Sequence, residues 1–294
     1  MAAVEPTLTL RGDGRVRRRR IANRVAEVLA TVAALAAVAV LGIVVWSVAK
    51  RGAGALSWGF LTHDLPIPFS GQSGGIAPLI VGSAILVGLA AAIALPVGVC
   101  IAVFLEEFAR PAVRAGIQLA VDLLNGLPSI IIGVFVFGLL VYGHPQNGWA
   151  GSIGLAIVML PLVTRATQEV LRLVPRSQRE GALALGASRW RTVLGITLPS
   201  ALGGILTGTV LAVARAAGET APLLFVTSIY GRTIELNPSH ALPNLPVQIF
   251  IWSESSDPED HKRAWASALV LILFVLATSL IARLALARFR RRMG

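Results

Sequence analysis

The sequence predicts an all-α polytopic membrane protein of six spans, with both ends in the cytoplasm. Three observations carry this. Of 294 residues, 55% are hydrophobic and only 14% charged, against about 25% charged in ordinary soluble domains. Apolar runs recur at lengths that cross a hydrocarbon core of about 30 Å. Twenty of the 26 basic residues fall in a leading tail, two inner loops and the C-terminus of a six-span reading, as short cytoplasmic loops require. The net charge of +11 is therefore read as topology, not as a nucleic-acid surface.

The elements follow in order. Residues 1–27 form a basic cytoplasmic tail carrying Arg11, Arg15, Arg17, Arg18, Arg19, Arg20 and Arg24. Residues 28–48 form the first transmembrane helix. The run is too long for a signal-peptide core of about 7–15 residues, so it stays uncleaved. Residues 49–76 hold Pro66, Pro68, Gly71, Gly74 and Gly75, as a loop does. The second span, 77–105, is uncharged and contains Pro96, whose missing N–H neighbouring helices must absorb. Glu106, Glu107, Arg110 and Arg114 make a short inner turn. The third span, 117–142, includes Asp122 and Asn125-Gly126-Leu127-Pro128-Ser129. The loop 143–150 lacks Lys and Arg, as an outer loop should. The fourth span, 151–163, is short.

A polar loop over 164–200 comes next, with six arginines. The fifth span, 201–229, offers Gly204 and Gly208 for close helix packing. The external segment 230–263 is acidic, and 245–252 is apolar enough to lie in the interface or re-enter it. The last span is 264–282. Arg283, Arg288, Arg290, Arg291 and Arg292 close the chain inside.

Two stretches carry the functional reading. In the polar loop, Glu180, Ala182, Gly186, Ile196 and Pro199 fit the spacing E-A-A-x-x-x-G, nine residues, I-x-L-P, with Gly181 in place of the first alanine. Glu180 near a helix start suits the positive end of the helix dipole. Residues 182–185 are good helix formers, and Gly186 can end that helix with a positive φ. A knob of this size suits a groove on a soluble partner. In the fifth span, Arg215 and Glu219 are four residues apart and share one helix face. Each costs about 2.5 kcal/mol or more at the centre of an isolated membrane helix. Pro222 removes the donor that the Gly218 carbonyl needs, so Gly218 and Pro222 loosen the helix beside both charges. The pair is either a structural ion pair or part of an anion pathway. In the second case the guanidinium fork of Arg215 matches phosphate oxygens. Glu219 then accepts a hydrogen bond from a proton still on the ligand, with Thr220 a lesser donor.

These stretches resemble a family. The loop spacing resembles the cytoplasmic coupling loop of ABC importer permeases. Residues 214–224 (ARAAGETAPLL), 126–130 (GLPSI) and 245–250 (LPVQIF) are similar to the permease subunits of phosphate ABC importers. The resemblance covers roughly residues 77–290, the permease core. It implies the type I ABC importer permease fold in a bacterial plasma membrane. It also implies a homologous second permease, two copies of a cytoplasmic ATPase carrying ATP and Mg, and an extracytoplasmic phosphate-binding protein. Glu180, Gly181, Ala182, Gly186, Ile196 and Pro199 carry over as ATPase-coupling positions, and Pro128, Gly218 and Pro222 as helix kinks.

Composition limits the rivals. Cys100 is the only cysteine, so neither an internal disulfide nor a cysteine metal cluster can form. His63, His144, His240 and His261 lie at no metal-ligand spacing and are expected in exposed loops. No Gly-Lys pair occurs, so there is no Walker A loop, and ATP would be hydrolysed by another chain. No cofactor is expected on this one, and no nucleophile–base pair marks it as an enzyme. A permease for sulfate or molybdate, and a stand-alone ion-coupled carrier, remain as alternatives.

Overall fold

The computed structural model describes residues 14–67, 74–227 and 231–293. Expectations for Arg11, Pro68, Gly71 and the end of the fifth span at 228–229 lie outside these residues. The chain divides into two units, 1–50 and 51–294. The first is occupied by most of α1 (Gly14–Gly52), whose side chains are exposed over 16–46. The expected span 28–48 sits inside this longer helix.

The second unit contains α2 (Trp58–Thr62), α3 (Ala77–Val103), α4 (Pro111–Gly126), α5 (Ser129–Val136), α6 (Gly148–Leu173), α7 (Arg176–Ala184), α8 (Arg189–Thr192), α9 (Leu198–Ala217), α10 (Ala221–Val226), α11 (Leu245–Glu254) and α12 (Pro258–Met293). No strand occurs among the described residues. Among the described residues five helices are long and apolar enough to cross a membrane, and six if the bent pair of α4 and α5 counts as one span.

The core is α3 against α6 and α6 against α9. Leu86, Ala90 and Ala94 meet Leu155, Met159 and Val163, all buried. Lipid tails are as apolar as these side chains, so close packing rather than water exclusion holds such helices together. Small residues make the closeness possible. A β-carbon on Gly204 would lie 2.5 Å from Val170, and one on Gly208 2.5 Å from Ala166. The packing face expected from these two glycines is therefore the α6 face of α9. Pro96 is accommodated within α3 without a break. The segment 245–252 becomes α11, with Leu245, Pro246, Val247 and Trp252 buried in protein.

Four expectations are corrected. The third span is not one helix: α4 and α5 meet at an angle of 100°. Pro128 forces Leu127 into an extended conformation (φ −70°, ψ 134°) and so stops α4. The fourth span is not short, since α6 continues to Leu173. Thr164, Thr167 and Gln168 are buried there because α3 and α9 flank them, so hydropathy falls before the helix does. The fifth span breaks at Gly218, leaving Arg215 in the last turn of α9 and Glu219 beyond it, not mid-helix. Glu180 does not open a helix, because α7 begins at Arg176.

Candidate functional site

The break in α9 and the break in α4–α5 face the same space. A cavity of about 220 Å³ is lined by Asn125, Leu127, Pro128, Ser129, Pro161, Arg215 and Glu219, among others. Three interruptions of backbone hydrogen bonding meet here: Pro128 before α5, Pro161 inside α6, and the Gly218–Thr220 break. Their convergence has a packing cause. A β-carbon on Gly133 of α5 would lie 2.7 Å from the α-carbon of Pro222, so only glycine lets α5 and α10 approach this closely. The 125–129 stretch and the Arg215–Glu219 pair, far apart in sequence, are brought together by the fold.

Within the cavity, Arg215 Nε lies 3.8 Å from Glu219 Oε1, a charge pair without a hydrogen bond among the described contacts. The side chain of Arg215 is 62% exposed and that of Glu219 only 18%. The guanidinium fork therefore keeps its donors available, while the carboxylate is held against the wall. Asn125 and Ser129 add an amide and a hydroxyl that sequence reasoning did not single out. Their signal was their place beside Pro128, where a broken helix exposes polar groups. Thr220 precedes α10, and its carbonyl accepts from Leu223 and Leu224. It is not among the residues lining this cavity.

The polar loop of the other stretch is a structured knob. Gly186 has φ +84°, as expected of the residue that ends this helix. Ala187 N–H donates to the Ala182 carbonyl at 3.1 Å and Gly186 N–H to Leu183 at 3.0 Å, the paired bonds of a Schellman stop. Ala182 is buried, Glu180 and Gly181 are exposed, and the Leu185 side chain projects at 91% exposure. Ser188 caps α8 by accepting from Arg191 N–H. Ile196 is half-buried in the π-helical turn Val193–Thr197, and Pro199 is exposed in the first turn of α9. Phe108 and Trp190 pack ring to ring at 4.7 Å, tying the knob to the end of α3.

Between cavity and knob runs a polar network that the sequence reading reduced to a short turn. Glu106, 7% exposed, accepts from Arg114 at 2.8 Å, from Arg172 at 2.8 Å and from Gln168 at 3.2 Å. Gln168 also donates to Gln118, which in turn donates to Asp122. Asp122 pairs with Arg165. Arg179 of α7 lies 3.2 Å from Glu107 and donates to the Leu171 carbonyl. The turn after α3, α4, α6 and the knob are thus bonded to one another. The four histidines are exposed, and no group of three metal-ligating side chains gathers among the described residues.

The chain is similar to known proteins in sequence and in fold. Residues 94–294 match the family described as binding-protein-dependent transport system inner membrane component. The phosphate transport system permease protein PstA of Yersinia pestis is 38% identical over 272 residues, covering 92% of each chain. PstA 1 of Mycobacterium tuberculosis H37Rv is 37% identical over 285 residues, covering 94% of this chain and 91% of that one. In structure, the inward-facing MetNI methionine ABC transporter matches with TM-score 0.58 at 17% identity, over 73% of this chain and 94% of that one. A bacterial ABC transporter for the acidic polysaccharide alginate matches with TM-score 0.59 at 15% identity, over 86% and 95%. With sequence and fold in agreement, the chain belongs to the binding-protein-dependent inner-membrane transport components, the permeases of type I ABC importers.

Proposed function

We propose that this chain is a permease subunit of an ATP-driven importer of inorganic phosphate, and that the cavity holding Arg215 and Glu219 is part of the anion's path. The relatives named as phosphate transport permeases support the substrate. The single observation that carries the site is the meeting of an open guanidinium fork and a held carboxylate where three helices lose their backbone bonds. Arg215 attracts the anion, and Asn125 and Ser129 supply further donors. Glu219 accepts a hydrogen bond from the proton that phosphate keeps near neutral pH and sulfate lacks. Thr220 acts beside them only if the break reorganises during transport. Pro128, Gly218 and Pro222 are the points at which the helices bend.

The knob is the proposed contact with a cytoplasmic ATPase. Glu180, Gly181, Ala182, Gly186, Ile196 and Pro199 shape it, and Leu185 gives it an apolar tip for a groove. Both chain ends then lie in the cytoplasm. Two ATPase copies bind ATP and Mg, while a homologous second permease completes the path. A binding protein delivers phosphate from outside, and lipid surrounds the spans. This chain performs no catalysis and needs no cofactor of its own.

Uptake by cells carrying Glu219→Gln tests the site. The phosphate-over-sulfate preference should fall by at least about ten-fold, the scale of one charged hydrogen bond. An unchanged rate with unchanged preference would remove Glu219 from the pathway. A wild-type importer that prefers sulfate or molybdate would reassign the substrate.

A further inference from the structure

A second cavity, of about 380 Å³, lies where α12 enters its span. It is lined by Arg51, Ile249, Ser253, His261, Ala264, Trp265 and Ala268. Its chemistry is graded. Arg51, Ser253 and His261 form a polar rim, while Ile249, Ala264 and Ala268 are apolar. From His261 to Ala268 the helix advances about 10 Å along its axis, so the floor lies deeper in the span than the rim.

The cation of the rim is Arg51. The Arg51 guanidinium sits 4.8 Å from the centre of the Trp265 ring, and no carboxylate pairs with it among the described contacts. The acids in the first turn of α12 are engaged with its own cations: Glu259 with Lys262 at 2.7 Å and Asp260 with Arg263 at 2.9 Å. His261 Nε2 is bonded to the Ser255 carbonyl at 2.7 Å, and the Ser253 hydroxyl donates to Phe250. The placement of Arg51 is also enforced by the backbone. A β-carbon on the neighbouring Gly52 would lie 2.5 Å from the Trp265 carbonyl oxygen. Only glycine lets the end of α1 press onto α12 there and set the guanidinium on the ring.

The geometry points to a binding site for an anionic phospholipid, its phosphodiester on Arg51 and one acyl chain along Ile249, Ala264 and Ala268. Charge selects the headgroup: a planar fork stacked on an aromatic ring offers paired donors to phosphate oxygens. The apolar floor selects a lipid over free phosphate, which has nothing to place there. This site is independent of the Arg215 cavity and of the transported anion.

The assembled importer, purified in detergent and stripped of lipid, is titrated with phosphatidylglycerol or phosphatidylcholine and examined by native mass spectrometry. Wild type should retain phosphatidylglycerol about ten-fold more strongly than phosphatidylcholine, the scale of a charge-assisted contact. Arg51→Gln should bring that ratio close to one. Ala268→Trp, which fills the floor and leaves the charge, should lose both lipids at this site. Lys262→Ala, an exposed cation outside the lining, should behave as wild type. Equal retention by Arg51→Gln, loss in Lys262→Ala to the same extent, or displacement of the lipid by millimolar inorganic phosphate would each overturn the proposal.

Discussion

Two glycines five residues apart in the knob place opposite demands on a side chain. Gly186 sits at φ +84° and closes α7. An L-residue there costs about 1–2 kcal/mol. Gly181 lies inside α7, and a β-carbon on it would meet nothing within 4 Å. Alanine there gains about 1 kcal/mol of helix propensity. Gly181→Ala should therefore raise the midpoint of thermal unfolding and Gly186→Ala lower it, and differential scanning fluorimetry of the purified subunits reads both signs. The same reasoning explains why Gly186 was legible from sequence: the conformation that a helix stop needs is one few other residues adopt. A second residue-scale prediction concerns Glu235. The Asn237 backbone N–H, then His240, hold its carboxyl below the usual carboxylate range. A depressed carboxylate favours the folded loop above its ordinary value of 4.5, and that contribution fades as pH drops toward the lower folded value. This loop matters because the Pro238 and His240 carbonyls receive the first N–H groups of α6, from Trp149 and Gly148. The protection factors of the Gly148 and Trp149 amides, with the intrinsic pH dependence of exchange divided out, should fall on acidification below that range, and Glu235→Gln should make them pH-independent there.

Elements explain what single residues could not foretell. The stretch 117–142 is mostly apolar, with Asp122 and Asn125 its main polar interruptions, so hydropathy alone gives no reason to divide it at Pro128. Pro128 was visible, but a proline kinks some helices and terminates others; Pro96 and Pro161 stay inside α3 and α6. Packing decides, and here α10 occupies the space against Gly133. The end of α6 was misjudged for a related reason. Its polar residues looked like loop, whereas Gln168 is 2% exposed and bonded on both sides. Nothing local in the sequence pairs Glu106 with residues 62 and 66 positions away. Glu106 is the hub of that network, with three partners, while Arg114 and Arg172 are spokes with 38% and 55% exposure. Removing the hub loses all three contacts and should cost about 2 kcal/mol. Removing Arg114 leaves Glu106 with Arg172 and Gln168, and an exposed pair is worth about 1 kcal/mol or less. Thermal unfolding of Glu106→Ala and Arg114→Ala should rank them in that order. Equal losses would show that the network is not centred on Glu106.

At the scale of the whole molecule, the question is where force enters. Arg215 and Glu219 alone would suit an ion-coupled carrier that works by itself, since a charge pair in a cavity can serve either machine. The knob distinguishes them. A carrier has no use for a stopped helix presenting Leu185 at 91% exposure. An apolar tip on a stopped helix suits the groove of the proposed ATPase partner. In the proposed coupling, the Arg179–Glu107 pair ties the knob to the turn after α3, and the neighbouring Glu106 continues through Gln168 and Gln118 to Asp122 of α4. Such a linkage only transmits and supplies no energy of its own. Liposomes holding this chain and its second permease should therefore accumulate no phosphate, with or without an ion gradient. Adding the ATPase, ATP and Mg inside, with binding protein outside, should start uptake. Leu185→Asp should abolish that uptake and weaken ATPase co-purification by about ten-fold or more, because a charge replaces the side chain that fills the groove. Phosphate retained at the Arg215 cavity by the Leu185→Asp protein would separate lost coupling from lost binding. Gradient-driven accumulation without the ATPase would return the chain to the carrier class.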